Sequence, residues 1–355
     1  LSSPFDDYNA ALHLEGRELD GGWRVGTRMR TTSGATGGAF SAGYLVTNER
    51  GRCGFLKVLD LASVLNQGVD AVLDATSAFV AERDLLVMCG HRKLSRVVTA
   101  ISHGQFKLPE FMLGDVNYII FELASHDVRV ALSQAETLTN VLRLEYLRNL
   151  AVGLRQLHSN EVAHQDLKPS NFLLFPDDSN GRHVGKLADL GRAFRKGVPA
   201  SHDHLIAPGD RAYAPPEQLY RYAFPEEMVR RFGADLYQLG SMASFMFTGM
   251  TMNSLLASEL APHHHWDTYG DSYLDVLPFL ENAYASVIPI LKQSLPGDVD
   301  SRLGGIIEFL CQPDPRRRGH PASRRCGGVD YSLARVVTEI DLIAHRSMLL
   351  SRAAA

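Results

Sequence analysis

The sequence predicts an α+β fold in which a small strand-rich unit precedes a larger helical one. Three observations predict it. Short runs of strand-forming residues, parted by polar or Gly-rich turns, occupy the stretch from Arg24 to Phe121. After Ser125 leucines recur at helical spacing, as in Leu147, Leu150, Leu154 and Leu157. Phe232 to Thr248 is apolar on most sides, the mark of a helix buried at the centre of a larger body.

Taken in order, Arg24 to Thr32 alternates loosely and reads as a first strand, followed by a Gly-rich stretch from Gly34 to Gly43. Tyr44–Thr47 and Phe55–Leu59 flank the polar turn Asn48–Arg52, which predicts a hairpin. Val69 to Cys89 reads as a helix with Val72, Phe79, Leu85 and Leu86 on one side. Val97–Val98 and Tyr118–Phe121 read as two further strands. In the helical part, Ala261 to Ser272 is a polar loop carrying His263, His264 and His265, and Leu333, Val336, Ile340 and Ile343 mark a last surface helix. The expected organisation is an N-terminal extension over 1–22, an extra arm or a leader, then a strand-rich unit over 23–124 and a helical unit over 125–348.

Composition narrows the function. The chain has 355 residues, 45% hydrophobic and 21% charged, enough to bury a core without staples. A net charge of −4 offers no electrostatic handle for nucleic acid or an anionic membrane. Cys53, Cys89, Cys311 and Cys326 are scattered, with no Cys-x-x-Cys pair, which predicts a reducing, cytoplasmic setting. No apolar run of bilayer length and no secretory signal is read.

The chemistry is concentrated in Val162-Ala163-His164-Gln165-Asp166-Leu167-Lys168-Pro169-Ser170-Asn171, followed about twenty residues later by Lys186-Leu187-Ala188-Asp189-Leu190-Gly191. Asp166, flanked by apolar residues, can orient or deprotonate an attacking hydroxyl. Lys168 can neutralise a transferring phosphoryl group. Asn171 and Asp189 offer hard oxygen ligands suited to Mg²⁺. Phosphoryl transfer asks for positioning and charge neutralisation more than covalent chemistry, and this set supplies both.

With Tyr213-Ala214-Pro215-Pro216-Glu217 and Asp235-Leu236-Tyr237-Gln238-Leu239-Gly240 following in order, the chain resembles the eukaryotic-type Ser/Thr protein kinase family from about Arg24 to Ile343. The resemblance implies a bilobal kinase fold and transfer of the γ-phosphate of ATP, with Mg²⁺, to Ser or Thr of a protein substrate. It implies that Asp166 is the catalytic Asp, with Lys168 and Asn171 at the next two catalytic-loop positions and Asp189 as the metal-binding Asp. Lys57 matches the strand lysine that pairs with the α- and β-phosphates, and Glu82 its helix partner. Gly37, Gly38, Phe40 and Ser41 fall in the phosphate-covering loop, Phe121 at the gatekeeper position, and Glu122 to Ala124 at the adenine-binding hinge. Glu217 and Arg318 resemble the family's buried ion pair, and Asp235 the residue that holds the catalytic-loop backbone.

Four departures from the family pattern shape the expectations. Gly43 stands where a Val normally roofs the adenine, and Phe55 where an Ala is usual, which reads as a volume swap. Gln165 replaces the Arg that in many kinases receives an activation-segment phosphate. Between Leu190 and Ala212 the hydroxyl residue is Ser201, so loop phosphorylation is not expected as the on-switch. Asp210 replaces a Thr and is expected to pair with Lys168.

Alternative readings are a pseudokinase whose adenine pocket is occluded by Phe55, and a small-molecule kinase of the aminoglycoside-phosphotransferase kind. The Tyr213–Glu217 segment and Arg318 disfavour the latter. Adjacent histidines point in different directions, so His263–His265 read as a solvated loop rather than a zinc site. Residues 251–302, long for a connection between helices, are a candidate surface for a regulatory partner.

Overall fold

In the computed structural model, residues 9–29, 40–65, 67–134, 138–177, 182–297, 299, 301–324 and 331–354 are described, with side chains to 350. The chain forms two compact units. One comprises the described residues up to Ser125 together with Ala188–Gly191; the other comprises His126–Leu187 and the described residues from Arg192 onward. The strand-rich and helical characters expected of an α+β chain are both present.

The first unit is built on a six-stranded antiparallel sheet in the order β1-β2-β3-β4-β6-β5. Its strands are β1 (Glu18–Leu19), β2 (Trp23–Met29), β3 (Ser41–Asn48), β4 (Cys53–Leu59), β5 (Ala100–Lys107) and β6 (Asp115–Glu122). The Asn48–Arg52 turn joins β3 to β4 as the polar residues predict; Asn48 Oδ1 accepts from the amides of Arg50 and Arg52. Alternation along β4 sends Leu56 and Val58 into a core with Tyr44, Val46, Tyr118 and Ile120, and turns Phe55 and Lys57 to the opposite face. Helices α1 (Leu61–Leu65) and α2 (Val69–His91) complete the unit.

Two expectations are revised here. Val97 and Val98 are buried, but the strand starts only at Ala100. Residues 9–22, expected as part of an extension, are built into the unit. Ala10, Ala11, Leu14 and Leu19 join the core cluster, Tyr44 donates its hydroxyl to the Ala11 carbonyl at 2.7 Å, and Asn9 donates to Asp60 at 2.8 Å. The physical reason is that one face of the sheet is apolar and this segment covers it.

The second unit is mostly helical. In chain order it contains β7 (His126–Asp127), α3 (Val128–Ser133), α4 (Asn140–His158), β8 (Val162–Ala163), β9 (Phe172–Asp177), β10 (Arg182–Leu187), β11 (Phe194–Arg195), α5 (Pro216–Leu219), α6 (Glu227–Thr248), α7 (Met252–Glu259), α8 (Tyr273–Ser294), α9 (Arg302–Leu310), α10 (Pro321–Arg324) and α11 (Ala334–Ala354). Helix α4 starts at Thr139, whose hydroxyl accepts from the Leu142 amide, and it buries all four leucines of the predicted stripe. Helix α6 is the buried centre: Phe232 through Ala243 are all buried, and α4, α7, α8 and α9 pack on it. Helix α8 is long and apolar enough to meet the length and composition of a membrane span, which the sequence reading did not recognise. Its Val276, Leu280, Tyr284, Val287 and Leu291 are buried within this unit.

Candidate active site

The first group of candidate residues belongs to the strand-rich unit. On α2, Phe79, Glu82, Leu86 and Cys89 fall along one buried stripe, so the helix phase that buries the leucines also carries Glu82 inward. Lys57 on β4 meets it: Nζ lies 2.9 and 2.8 Å from the two carboxylate oxygens. Asp189 Oδ1 is 3.7 Å from the same nitrogen. Burial by itself would pull the Lys57 ammonium down, but the carboxylates of Glu82 and Asp189 outweigh it and hold the group above its ordinary value. It is therefore a permanent cation. Asp189 sits in the left-handed region at φ 61°, a conformation that a non-glycine residue adopts at a cost of about 1–3 kcal/mol.

Gly43 pairs with Lys57 across β3 and β4, and Phe55 with Leu45 and Phe121. A Cβ on Gly43 would lie 2.8 Å from Cε2 and 3.0 Å from Cζ of the Phe55 ring. The ring thus lies over the Gly43 backbone and fills the volume a side chain there would take. Installing Val at this position is expected to destabilise the unit by about 1–3 kcal/mol, because the ring has to leave its rotamer. Adding Phe55→Ala to Gly43→Val is expected to recover most of that loss; thermal unfolding of the four species in the cycle measures the coupling.

Phe40 and Ser41 lie at the start of β3, where the Phe40 carbonyl accepts from the Asp60 amide at 2.9 Å. Gly37 and Gly38 lie outside the described residues. Glu122 ends β6 opposite Gly54, and Ala124 follows it, half-buried.

The second group belongs to the helical unit. Strands β8 and β11 pair through Ala163 and Phe194 and frame the loop from His164 to Lys168. Asp235, fully buried on α6, accepts from the backbone amides of His164 at 2.8 Å and Gln165 at 2.7 Å, and from His158 Nε2 at 2.8 Å. One turn further along α6, Gln238 accepts from the Leu167 amide and donates to the Gln165 carbonyl, both at 3.0 Å. These bonds satisfy the backbone of a loop that has no ladder of its own.

Asp166 is only 6% exposed and has its carboxylate fully engaged. Oδ1 accepts from the Asp210 amide at 2.7 Å; Oδ2 accepts from Asn171 Nδ2 at 3.0 Å and lies 2.9 Å from Lys168 Nζ. Asn171 Nδ2 also donates to the Asp166 carbonyl, an arrangement that turns its Oδ1 away from Asp166. That oxygen accepts from Ser170 Oγ at 3.4 Å and is the kind of donor a hard cation takes.

Asp210 departs from the expected pairing with Lys168. Its carboxylate accepts from the Ala212 amide at 2.9 Å, capping its own turn, while Lys168 pairs with Asp166. The short aspartate side chain finds a nearby backbone donor first. Gly209, which sequence reasoning missed, explains why the segment can approach: a Cβ there would lie 2.3 Å from the Gln165 carbonyl oxygen and 2.8 Å from Asp166 Oδ1. Gln238 was missed as well; its signal was a polar residue one turn after Asp235 in a mostly apolar stretch.

The brace beneath the site is Glu217 on α5 with Arg318, which is fully buried. Two parallel bonds of 2.8 and 2.6 Å join them, and Arg318 also donates to the carbonyls of Gln312, Pro313 and Gly233. In the neighbouring loop, His264 stacks on Phe279 at 3.8 Å and the Tyr220 hydroxyl donates to the His264 carbonyl at 2.5 Å. Among the described residues, no group of three or more His, Cys, Asp or Glu is arranged to hold a metal.

A family model described as protein kinase domain matches residues 37–320. The chain belongs to the protein kinase family. Its curated relatives include the human serine/threonine-protein kinase MRCK gamma, 30% identical over 248 residues that cover 67% of this chain and 14% of that protein. The mouse inactive serine/threonine-protein kinase PLK5 is 34% identical over 133 residues, covering 37% of this chain and 20% of that one. The Arabidopsis thaliana serine/threonine-protein kinase ATG1b is 29% identical over 140 residues, covering 39% and 18%. The chain therefore spans a fifth or less of the length of these relatives.

Proposed function

We propose that this kinase domain is catalytically active and transfers the γ-phosphate of ATP, with Mg²⁺, to a Ser or Thr hydroxyl of a protein substrate. The observation that carries this reading is the closed ion pair between Lys57 and Glu82, with both carboxylate oxygens within 2.9 Å of the ammonium. That pair is the arrangement in which a kinase lysine is ready for a nucleotide's phosphates. In the helical unit Asp166 is ordered by Asp210 and Asn171, which supports a role in orienting an incoming hydroxyl and taking its proton. Lys168 supplies a cation beside it. Asn171 in one unit and Asp189 in the other each match a metal-binding position of the family, and each carries an oxygen of the kind Mg²⁺ takes. When bound, the metal neutralises phosphate charge. The sequence Lys168-Pro169-Ser170-Asn171 resembles that of the Ser/Thr class and supports a hydroxyl of that kind as acceptor.

A second reading, a pseudokinase, draws on Phe55 and on the inactive relative. The seating of the Phe55 ring over Gly43 argues for the first reading, because the added bulk takes up volume vacated within the same sheet. Incubating the pure protein with labelled ATP and Mg²⁺, alone and with a generic basic protein, separates the two. Label transfer that Asp166→Ala abolishes supports the enzyme; ATP binding without transfer would sink it.

The activation segment is expected to need no phosphate of its own. Ser201→Ala should leave the rate of transfer within about twofold of the parent in a steady-state assay, since loop phosphorylation acts through an acceptor pocket that Gln165 does not provide. Near-total loss would contradict it.

A further inference from the structure

The residue that replaces the usual phosphate-receiving arginine is part of a network of its own. Gln165 is fully buried and held at φ 65°. Its Nε2 donates to the Arg192 carbonyl at 3.0 Å, and its Oε1 accepts from Nη1 of Arg231 at 2.8 Å. Arg231 comes from α6 and is only 2% exposed. Its Nη2 donates to the Asp203 carbonyl at 2.6 Å and lies 3.6 Å from the Asp203 carboxylate. The guanidinium stands over the Phe194 ring at 5.3 Å, so its flat face is covered too. Asp203 is fixed in turn: Oδ2 accepts from the Ala200 amide at 2.7 Å. Beside it His202, 5% exposed, reaches the Ala193 carbonyl through Nε2 at 3.2 Å.

One buried guanidinium thus joins three parts of the helical unit: the central helix, the catalytic loop and the segment between Gly191 and Gly209. Charge decides which residue can sit at 165. With Arg231 in place, a second guanidinium there would put two cations within hydrogen-bond distance in a buried setting, a repulsion that needs an added anion to offset it. A neutral amide needs none, and its oxygen accepts from Nη1 while the Asp203 carbonyl accepts from Nη2. Asp203 supplies the counter-charge from within the chain.

We propose that Arg231 is a positioning residue that clamps the activation segment to the catalytic loop through Gln165 and Asp203, with the Asp203 carboxylate as a built-in counter-charge. The clamp regulates the site assigned under the proposed function and so rests on that reading for its catalytic consequence. Its structural consequence is independent of activity. The segment is set as the unit folds, and no modifying enzyme is needed to set it.

The test combines amide hydrogen exchange over residues 200–206, thermal unfolding and steady-state kinetics on the full chain. Arg231→Met is expected to speed exchange in that segment by about tenfold or more, as local opening does when a buried anchor is lost, and to lower the melting temperature by several degrees because the buried Gln165 oxygen loses its donor. It should raise KM for the protein substrate and leave KM for ATP near the parent value. Asp203→Ala, at a residue whose side chain is 29% exposed and hence safe for folding, should do the same in exchange. Gln165→Arg should also open the segment, and adding Arg231→Gln to it should restore protection, because one cation and one amide again face each other. Unchanged exchange in Arg231→Met and Asp203→Ala, or a double variant no better protected than Gln165→Arg alone, overturns the clamp. If the parent transfers no phosphate, the proposed function fails, while the exchange measurements still decide the clamp.

Discussion

Asp166→Ala is expected to lower turnover for phosphoryl transfer by about 10²–10⁴-fold, the range that a positioned acid–base group contributes. Nucleotide affinity should stay within about threefold, because the interactions that order Lys57, the cation proposed to meet the phosphates, are separate. Lys57 is held by Glu82 and Asp189, and neither of those bonds involves Asp166. The loss has two sources. The carboxylate that orients the hydroxyl is gone, and Lys168, whose side chain is 8% exposed, is left without its partner. Turnover and nucleotide binding measured on one preparation distinguish this from a general loss of fold, in which both would fall together.

The second large effect is on stability. Arg318→Met is expected to destabilise the helical unit by about 3–5 kcal/mol, the cost of leaving one partner of a buried ion pair behind. Glu217 would keep a buried charge with two bonds lost, and the carbonyls of Gln312, Pro313 and Gly233 would lose their shared donor. For a unit of this size the melting temperature falls by roughly 6–20 °C. Combining it with Glu217→Leu should recover a substantial part, since an apolar pair of similar volume removes the stranded charge. A double variant as unstable as Arg318→Met alone would show that the carbonyl bonds, not the carboxylate, carry the effect.

Much of the candidate site was readable along the chain because its pieces are local. The phase of α2 follows from Leu85 and Leu86, and that phase sends Glu82 inward. The spacing of Asp166, Lys168 and Asn171 lies within a single loop and turn, so one stretch of sequence carries their grouping. The central position of α6 follows from its being apolar on most sides. The Phe55 and Gly43 swap was legible too, as two departures on adjacent strands whose volumes compensate.

What stayed hidden depends on partners far away in sequence. Residues 9–19 read as part of an extension, an arm or a leader, until Tyr44 and Asp60 meet them. Asp210 carries a charge that fits Lys168 on paper, and only the turn geometry decides that its carboxylate caps Ala212 instead. Arg231 reads as one more arginine near the start of a helix, yet it is buried against a glutamine 66 positions earlier. Periodicity and motif spacing report which side of an element is apolar and which residues share a loop. They carry no information on which distant polar group will satisfy a buried donor. That choice is made when the unit packs, because a hydrogen bond or ion pair is decided by approach to within about 3 Å, a distance set by tertiary contact and not by order along the chain.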